Sequence, residues 1–361
     1  MSESTITLDH SRRQVLQNQS LPTQKNANAG LWLDKFLVNQ PKFAQNPQPG
    51  EDALTTKLVK EVCAIGEPEG YALFFNRWLA SLEQLGVTPH KVKVNGRLTI
   101  GLGRASVIET GITLHHTYGV PVIPGSALKG LASSYAHQYL DNTIWAKGKP
   151  AHTTLFGTQE RAGGVVFYDA LPLPKEKGEQ QWELEPDVIT VHHPAYYRGE
   201  DKPPADWDSP NPVSFISVTG TFLVAIVPDS PNMQGWEEVA YGILRQALDE
   251  LGVGAKTSSG YGRMRLDDQA VPRFEIGAMF RMKASSIEAG DVELELPDDL
   301  ILGLPEKKDK EIYIYIPHNE VRNRQFKKGQ GIDAVILNIV EDEYDIVVTC
   351  RPATKEERQK K

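Results

Sequence analysis

GWEEVAYGILRQALDELGVGAKTSSGYGRMRL, Gly235 to Leu266, decides how this chain is read. In its first half, Val239, Ile243, Leu244, Ala247 and Leu251 recur at the spacing of one helix face, and Gly252 ends the pattern. The spacing predicts an amphipathic helix, then a loop, then a strand. The loop, Gly252 to Gly262, frames Lys256 and a run of hydroxyls with glycines at 252, 254, 260 and 262. A phosphate-cradling P-loop needs Gly-x-x-x-x-Gly-Lys-Ser/Thr between a strand and a helix, so that helix-terminal amides face the phosphates. Here Ala255 precedes the lysine and the loop leaves a helix C-terminus, where the dipole has the wrong sign for an anion. Nucleotide hydrolysis is excluded on that ground. A glycine loop with Gly254, Lys256, Thr257, Ser258, Ser259, Gly260, Tyr261 and Arg263 still suits a sugar–phosphate backbone, which donors can grip without reading bases. The plainer reading, a helix-to-strand connector, accounts for one or two of the four glycines.

Upstream, GYALFFNRWLASLEQLG reads as a helix with Leu73, Trp78, Leu79 and Leu82 at helical spacing, stopped by Gly86. EDALTTKLVKEVCAIG precedes it as another helix, and Val92–Gly103 alternates as a strand. In HHTYGVPVIPGSALKGLASSYA, Gly125 supplies a tight turn, Ser126 is the N-cap, and a helix runs to about Leu140 with Leu128, Leu131, Tyr135 and Tyr139 on one face. Gly163–Leu173 is a strand entered through paired glycines, and WELEPDVITVHHPAYYRG is a strand ending in a polar, aromatic loop. Pro212–Pro228 is the strongest strand signal, long enough for a bent strand or a hairpin. Strands and helices alternate without a regular β-α repeat. The expected class is α+β with a ferredoxin-like core over about 51–268.

Both ends differ from this core. Residues 1–50 are rich in Gln, Asn and Pro and read as an extended, partly disordered arm, in which Leu31, Trp32, Leu33, Phe36 and Leu37 form a docking patch. After Asp267, short β segments predict an all-β module over about 273–353, of OB or S1-like size, followed by a charged tail at 354–361. Its Phe326-Lys-Lys-Gly-Gln turn feeding a strand resembles the second half of an S1 domain; a protein-docking β appendage is the alternative.

The net charge of −8 does not exclude a nucleic acid, because phosphate contacts need only a local basic surface. No apolar run approaches the ~20 residues that cross a bilayer, and the first residues lack a secretory h-region. Two cysteines, Cys63 and Cys350, exclude a disulfide framework and a cysteine zinc site and fit a reducing cytoplasm. No metal motif or cofactor is expected.

Taken in order, GLGRASVIETGITLHHTYGVPVIPGSALKG, LFGTQERAGGVVFYDA, DVITVHHPAYY and GVGAKTSSGYGRM resemble the RAMP proteins of CRISPR effector complexes, across about residues 90–266. The order is most similar to that of the sixth-subunit family of the Cmr (type III-B) system. The resemblance implies an RRM-related fold and assembly on a guide RNA (crRNA) near its 3′ end, at the head of the complex. It also implies, as partners, target RNA reached through the guide, the first Cmr subunit, the backbone RAMP subunit and the small helical subunit, with no membrane. It places Ile123–Gly130 and Gly252–Gly262 near RNA. Ser126 and Lys129 would then offer a polarised helix N-terminus to a phosphate, and His115, His116, Tyr118 and His193 would contact RNA passively. The arm and the β module depart from the family's pattern.

The histidines also admit a metal-independent ribonuclease, with His116, Tyr118 and Lys129, or His193, Tyr197 and Lys256, as the acid–base set. A third reading is a protein–protein adaptor that does not touch RNA. In the family, target cleavage is attributed to the backbone subunit, and neither set is a complete acid–base constellation, so binding is favoured over catalysis.

Overall fold

The structure, a computed structural model, describes residues 27–37, 54–176, 180–193, 196, 198–200, 203–206, 211–267, 274–297, 311–321, 324–341 and 345–359. Most of the expected arm, the start of the first helix at 51–53, Tyr197 and the last two residues lie outside the described residues. Two compact units divide the chain, 1–267 and 268–361.

The first unit opens with helices α1 (Ala29–Lys35), α2 (Leu54–Cys63) and α3 (Tyr71–Gln84). In α1 the side chains of Trp32 and Leu33 are buried, with Trp32 stacked on Phe36 at 3.8 Å and its Nε1 donating to Glu61 of α2 at 3.3 Å. The apolar patch of the arm is therefore docked within this chain, except Leu31, which is exposed. Helix α3 buries Tyr71, Phe75, Leu79 and Leu82, and Gly86 follows it at φ 71°. Leu73, assigned to the core from its spacing, is 57% exposed, and Trp78 is only partly buried. Periodicity locates a stripe but not its centre, and here the buried stripe runs through Tyr71 and Phe75.

Strand β1 (His90–Val94) turns Val92 and Val94 inward and leaves Lys93 exposed. The strand expected over Val92–Gly103 ends there; a turn at Gly96 follows, and Leu98 forms only an isolated bridge to Val218. Helices α4 (Gly125–Tyr139) and α5 (Pro150–Phe156) come next, then strands β2 (Val165–Phe167), β3 (Leu171–Pro172), β4 (Trp182–Val191), β5 (Asn211–Val224) and β6 (Ile226–Pro228). Helix α6 (Trp236–Glu250) and strand β7 (Met264–Leu266) complete the unit.

The main sheet has the order β3-β5-β1-β7 with β4 also on β5, and all its pairings are antiparallel. The strong strand signal of Pro212–Pro228 is a strand that changes partner, not a hairpin. β5 ends at Val224, and after Ala225 the chain continues as β6, paired with β2. Tyr241 of α6 holds that break: its hydroxyl accepts from Ile226 N at 2.9 Å and donates to Val224 O at 3.2 Å. Helix α6 buries Ala240, Tyr241, Ile243, Leu244, Ala247 and Leu248, while Val239 is 39% exposed. Three of the five expected core residues, Ile243, Leu244 and Ala247, are thus buried, and Ala240, Tyr241 and Leu248 join them; the buried tyrosine anchors the face through its polar tip, which an apolar pattern does not register.

On α4, Leu128 and Tyr135 are buried but Tyr139 is 54% exposed, stacked on Tyr135. Two expectations at its start are corrected. Ser126 is not the N-cap: the helix begins at Gly125, with Pro124 before it and no side-chain cap. Gly125 serves close packing rather than a turn, since a Cβ there would sit 2.1 Å from the Phe167 carbonyl oxygen.

The second unit is a closed five-stranded barrel of β8 (Met279–Glu288), β9 (Asp291–Leu294), β10 (Glu311–Ile316), β11 (Gly331–Glu341) and β12 (Asp345–Pro352), in the order β10-β12-β11-β8-β9. Only the β10–β12 pairing is parallel. A short helix α7 (His318–Val321) lies between β10 and β11. Alternate residues of β12 point inward beside Phe280, Met282 and Ile314, and burial raises the Cys350 thiol to about 12. The charged tail carries a helix, α8 (Lys355–Gln359). Arg351 grips Glu357 through two hydrogen bonds, at 2.9 and 2.6 Å, and holds its carboxyl down at about 2.

Candidate functional site

The loop after α6 is built from the inside outward. Val253 N bonds Gly262 O at 2.9 Å and closes its neck. Ala255 N bonds Thr99 O at 2.8 Å and Gly262 N bonds Arg97 O at 2.8 Å, so the loop lies against the segment that follows β1. Gly254, at φ +91°, shows why glycine is needed: a Cβ would stand 2.2 Å from the Thr99 carbonyl oxygen. Gly252 and Gly262 likewise face each other's end of the neck, and only Gly260 is open around its Cα. Three of the four glycines thus serve the protein's own packing, more than the connector reading allowed for.

The loop's tip remains outward. Lys256 takes left-handed backbone, φ 59°, and opens a 3-10 turn at Thr257–Ser259, of which Ser258 and Ser259 are exposed. The Lys256 ammonium stands 5.8 Å from the Phe215 ring centre and 5.9 Å from that of Tyr261. Tyr261 donates to Asp187 of β4 at 2.6 Å; burial, then that carboxylate, raises its hydroxyl to about 12, so it stays a neutral donor. Arg263 donates to Asp249 O at 2.9 Å, at the end of α6. Of the loop residues singled out from sequence, Tyr261 and Arg263 are therefore tied to protein, whereas Lys256, Thr257, Ser258, Ser259 and Gly260 form the presented tip.

The His115–Tyr118 turn is different. Nδ1 of His115 accepts from Thr117 N at 3.2 Å and Tyr118 N at 3.4 Å, which requires the neutral ring, and burial lowers its pKa. His115 and Tyr118 pack on Phe74 at 5.0 and 4.8 Å. Asn28 docks on the turn from outside, its Nδ2 donating to His116 O and Thr117 O, both at 2.9 Å. The same side chain caps α1 by accepting from Leu31 N at 3.0 Å. His115 and Tyr118 thus do internal structural work, and the imidazole of His116 alone is left exposed.

At the start of α4 the expected phosphate position is already filled. Gly125 N donates to the Asp169 carboxylate at 2.7 Å, so a protein anion meets the helix N-terminus. Ser126 is exposed and Lys129 half-buried. A ladder of backbone hydrogen bonds joins this region to the glycine loop: Ala255 N to Thr99 O, Thr113 N to Ile100 O at 2.9 Å, and Val122 N to Thr113 O at 3.2 Å. Three such steps, each about 4.8 Å, bring the loop within about 15 Å of the approach to α4 along hydrogen-bonded backbone. His193 is half-buried in the turn after β4, with interactions of its own.

Among the described residues no hydrogen bond or ring contact joins His116, Tyr118 and Lys129; of the other set, Tyr197 lies outside the described residues and His193 has interactions of its own. No group of three metal-ligating side chains occurs among them, and no helix of theirs is long and apolar enough to cross a membrane. Sequence reading missed Asn28, Asp169 and Arg97, which bonds Ser217 at 3.1 Å and Glu185 at 3.6 Å. Asp169 lies in the stretch LFGTQERAGGVVFYDA, but nothing in its local spacing points to the Gly125 amide it meets.

Fold and site together define a mixed helix–strand protein with an antiparallel sheet, a glycine-framed surface loop between helix and strand, and an appended barrel. The chain matches the RAMP superfamily model over residues 91–265. The CRISPR system Cmr subunit Cmr6 of Pyrococcus furiosus is 32% identical, across 54% of this chain and 73% of its own length. Cmr6 of Saccharolobus solfataricus is 27% identical, across 46% of this chain and about half, 52%, of its own. The crystal structure of Cmr6 from Pyrococcus furiosus covers 50% of this chain and 97% of that one, with 33% identity and a TM-score of 0.33. A chain of the cryo-EM structure of the type III-B Cmr-beta bound to cognate target RNA covers 59% and 71%, with 23% identity and a TM-score of 0.46. On sequence, the chain belongs to the RAMP superfamily, close to the Cmr6 subunits of type III-B CRISPR systems.

Proposed function

We propose that this chain is a structural, non-catalytic subunit of a type III-B CRISPR effector complex that holds the guide RNA near its 3′ end, at the head of the assembly. Its neighbours in that reading are the first Cmr subunit, the backbone RAMP subunit and the small helical subunit, with target RNA reached through the guide. The observation that carries it is the tip of the glycine loop. Lys256, Thr257, Ser258 and Ser259 stand at the surface on a backbone pinned to Arg97 and Thr99. A rigid turn with one cation and several hydroxyls offers donors to phosphodiester oxygens at little entropic cost. Lys129, on the far side of the backbone ladder, is the second anchor for the strand. We extend the reading to the folds: the sheet order with α4 and α6 suits a ferredoxin-like core over 51–268, and the barrel order with its single parallel pairing suits an OB or S1-like module over 273–353.

The test is residue-mapped UV crosslinking of the assembled complex, together with Lys256→Ala and Lys129→Ala. Crosslinks at 256–260 are expected, and each lysine that neutralises a phosphate should, once replaced, lower the salt slope of guide retention by about 0.7. Normal assembly with no crosslink to either stretch and an unchanged slope would leave the adaptor reading in its place.

A further inference from the structure

The segment from Thr99 to His116 meets the glycine loop at one end and α1 at the other. After Thr99 it folds back on itself, with Arg104 N on Gly101 O at 3.0 Å and Gly111 N on Leu102 O at 2.9 Å. This fold-back is tight, since a Cβ on Gly111 would lie 2.5 Å from Gly101 O and 2.9 Å from the Arg104 Cβ. It fixes the root of the Arg104 side chain. Between the folded segment and α1 is a cavity of about 220 Å³, with Asn28, Asp34, Arg104, Ser106 and His116 on its polar wall. Arg104 is exposed and makes no ion pair or side-chain hydrogen bond among the described residues. Asp34, also exposed, is the carboxylate in the lining.

We propose that this cavity is a second phosphodiester-binding subsite, with Arg104 supplying the charge and His116 and Ser106 further donors. A guanidinium presents two parallel N–H groups to two phosphate oxygens, and unlike Lys256 it has no aromatic ring competing for it. The volume equals about seven waters, enough for a phosphate and its sugar. Five residues separate Thr99 from Arg104, so at ~3.4 Å per residue the subsite lies within about 17 Å of the point where the glycine loop is pinned. A single strand passing from one to the other would cover only a few nucleotides. The N-terminal segment forms the opposite wall, which gives the docked α1 a role in RNA retention. The inference rests on the RNA-binding reading above.

The purified full chain is titrated with a short fluorescein-labelled single-stranded RNA, read by anisotropy across a salt series. Arg104→Ala is expected to weaken binding about tenfold at low salt and to reduce the slope of log affinity against log salt by about 0.7, while Arg104→Lys keeps the slope. Asp34→Asn removes the opposing charge and should tighten binding severalfold, a gain that damage to the fold cannot produce. If Arg104→Ala and Asp34→Asn bind as the unaltered chain does while Lys256→Ala weakens binding, the subsite is wrong and the RNA reading stands. If the unaltered chain binds no better than Lys256→Ala/Arg104→Ala, both fall.

Discussion

Replacing Asn28 by alanine tests whether α1 is held where the structure puts it. The side chain makes three hydrogen bonds: its Oδ1 caps α1 at Leu31 N, and its Nδ2 reaches the carbonyls of His116 and Thr117. An N-cap is worth about 1 kcal/mol. Each neutral hydrogen bond adds about 1 kcal/mol when buried, and less where, as here, water can replace it. A loss of about 2 kcal/mol in the docking of α1 is therefore expected, near the middle of those ranges. At 1.36 kcal/mol per decade this is about a thirtyfold rise in local opening. Burial of Trp32 and Leu33 remains, so α1 should open more often without being lost. Amide exchange reads this directly, because Trp32 N is bonded to Asn28 O and Phe36 N to Trp32 O, at 2.9 and 3.0 Å. Both amides should exchange about thirtyfold faster in Asn28→Ala, with α6 amides unchanged. Unchanged exchange at Trp32 and Phe36 would show that Asn28 does not hold α1.

Two further outcomes separate packing from display and test the buried histidines. Gly254→Ala forces a Cβ onto the Thr99 carbonyl and should lower unfolding stability by well over the ~1–2 kcal/mol of a left-handed backbone alone, whereas Gly260→Ala, open around its Cα, should cost about that amount; equal losses in urea titration would refute the packing account. Burial lowers the pKa of His90, His115 and His152 below the ordinary 6.5, so the folded chain keeps them neutral while the unfolded chain takes up protons. Their contribution is whole above 6.5 and declines as the pH falls below it; the urea midpoint should drop between about pH 7.5 and 5.5. His115→Asn, which keeps an acceptor for the turn amides, should remove part of that decline.

Local chemistry made much of this fold legible. Helix α6, its glycine stop and the strand behind the loop follow from spacing and backbone preference within some thirty residues, and the change of composition after Asp267 announced a β module. The loop's lysine and hydroxyls could likewise be picked out, because nothing else in the chain combines them with so many glycines.

What the glycines are for was decided only by folding. Gly254 is fixed by Thr99, 155 positions earlier, and the His115 turn by Asn28, 88 positions away from His116 O. The helix N-terminus that looked open to phosphate is met by Asp169, 44 positions on. The exposure of Leu73 and Val239 was settled by which neighbours arrived to cover each helix. A hydrogen bond or a steric clash between distant residues leaves no periodic mark on the chain, since each partner's identity is common and only their approach is specific. Sequence therefore named the residues able to hold a phosphodiester, and tertiary structure determined which of them the protein had already used to hold itself.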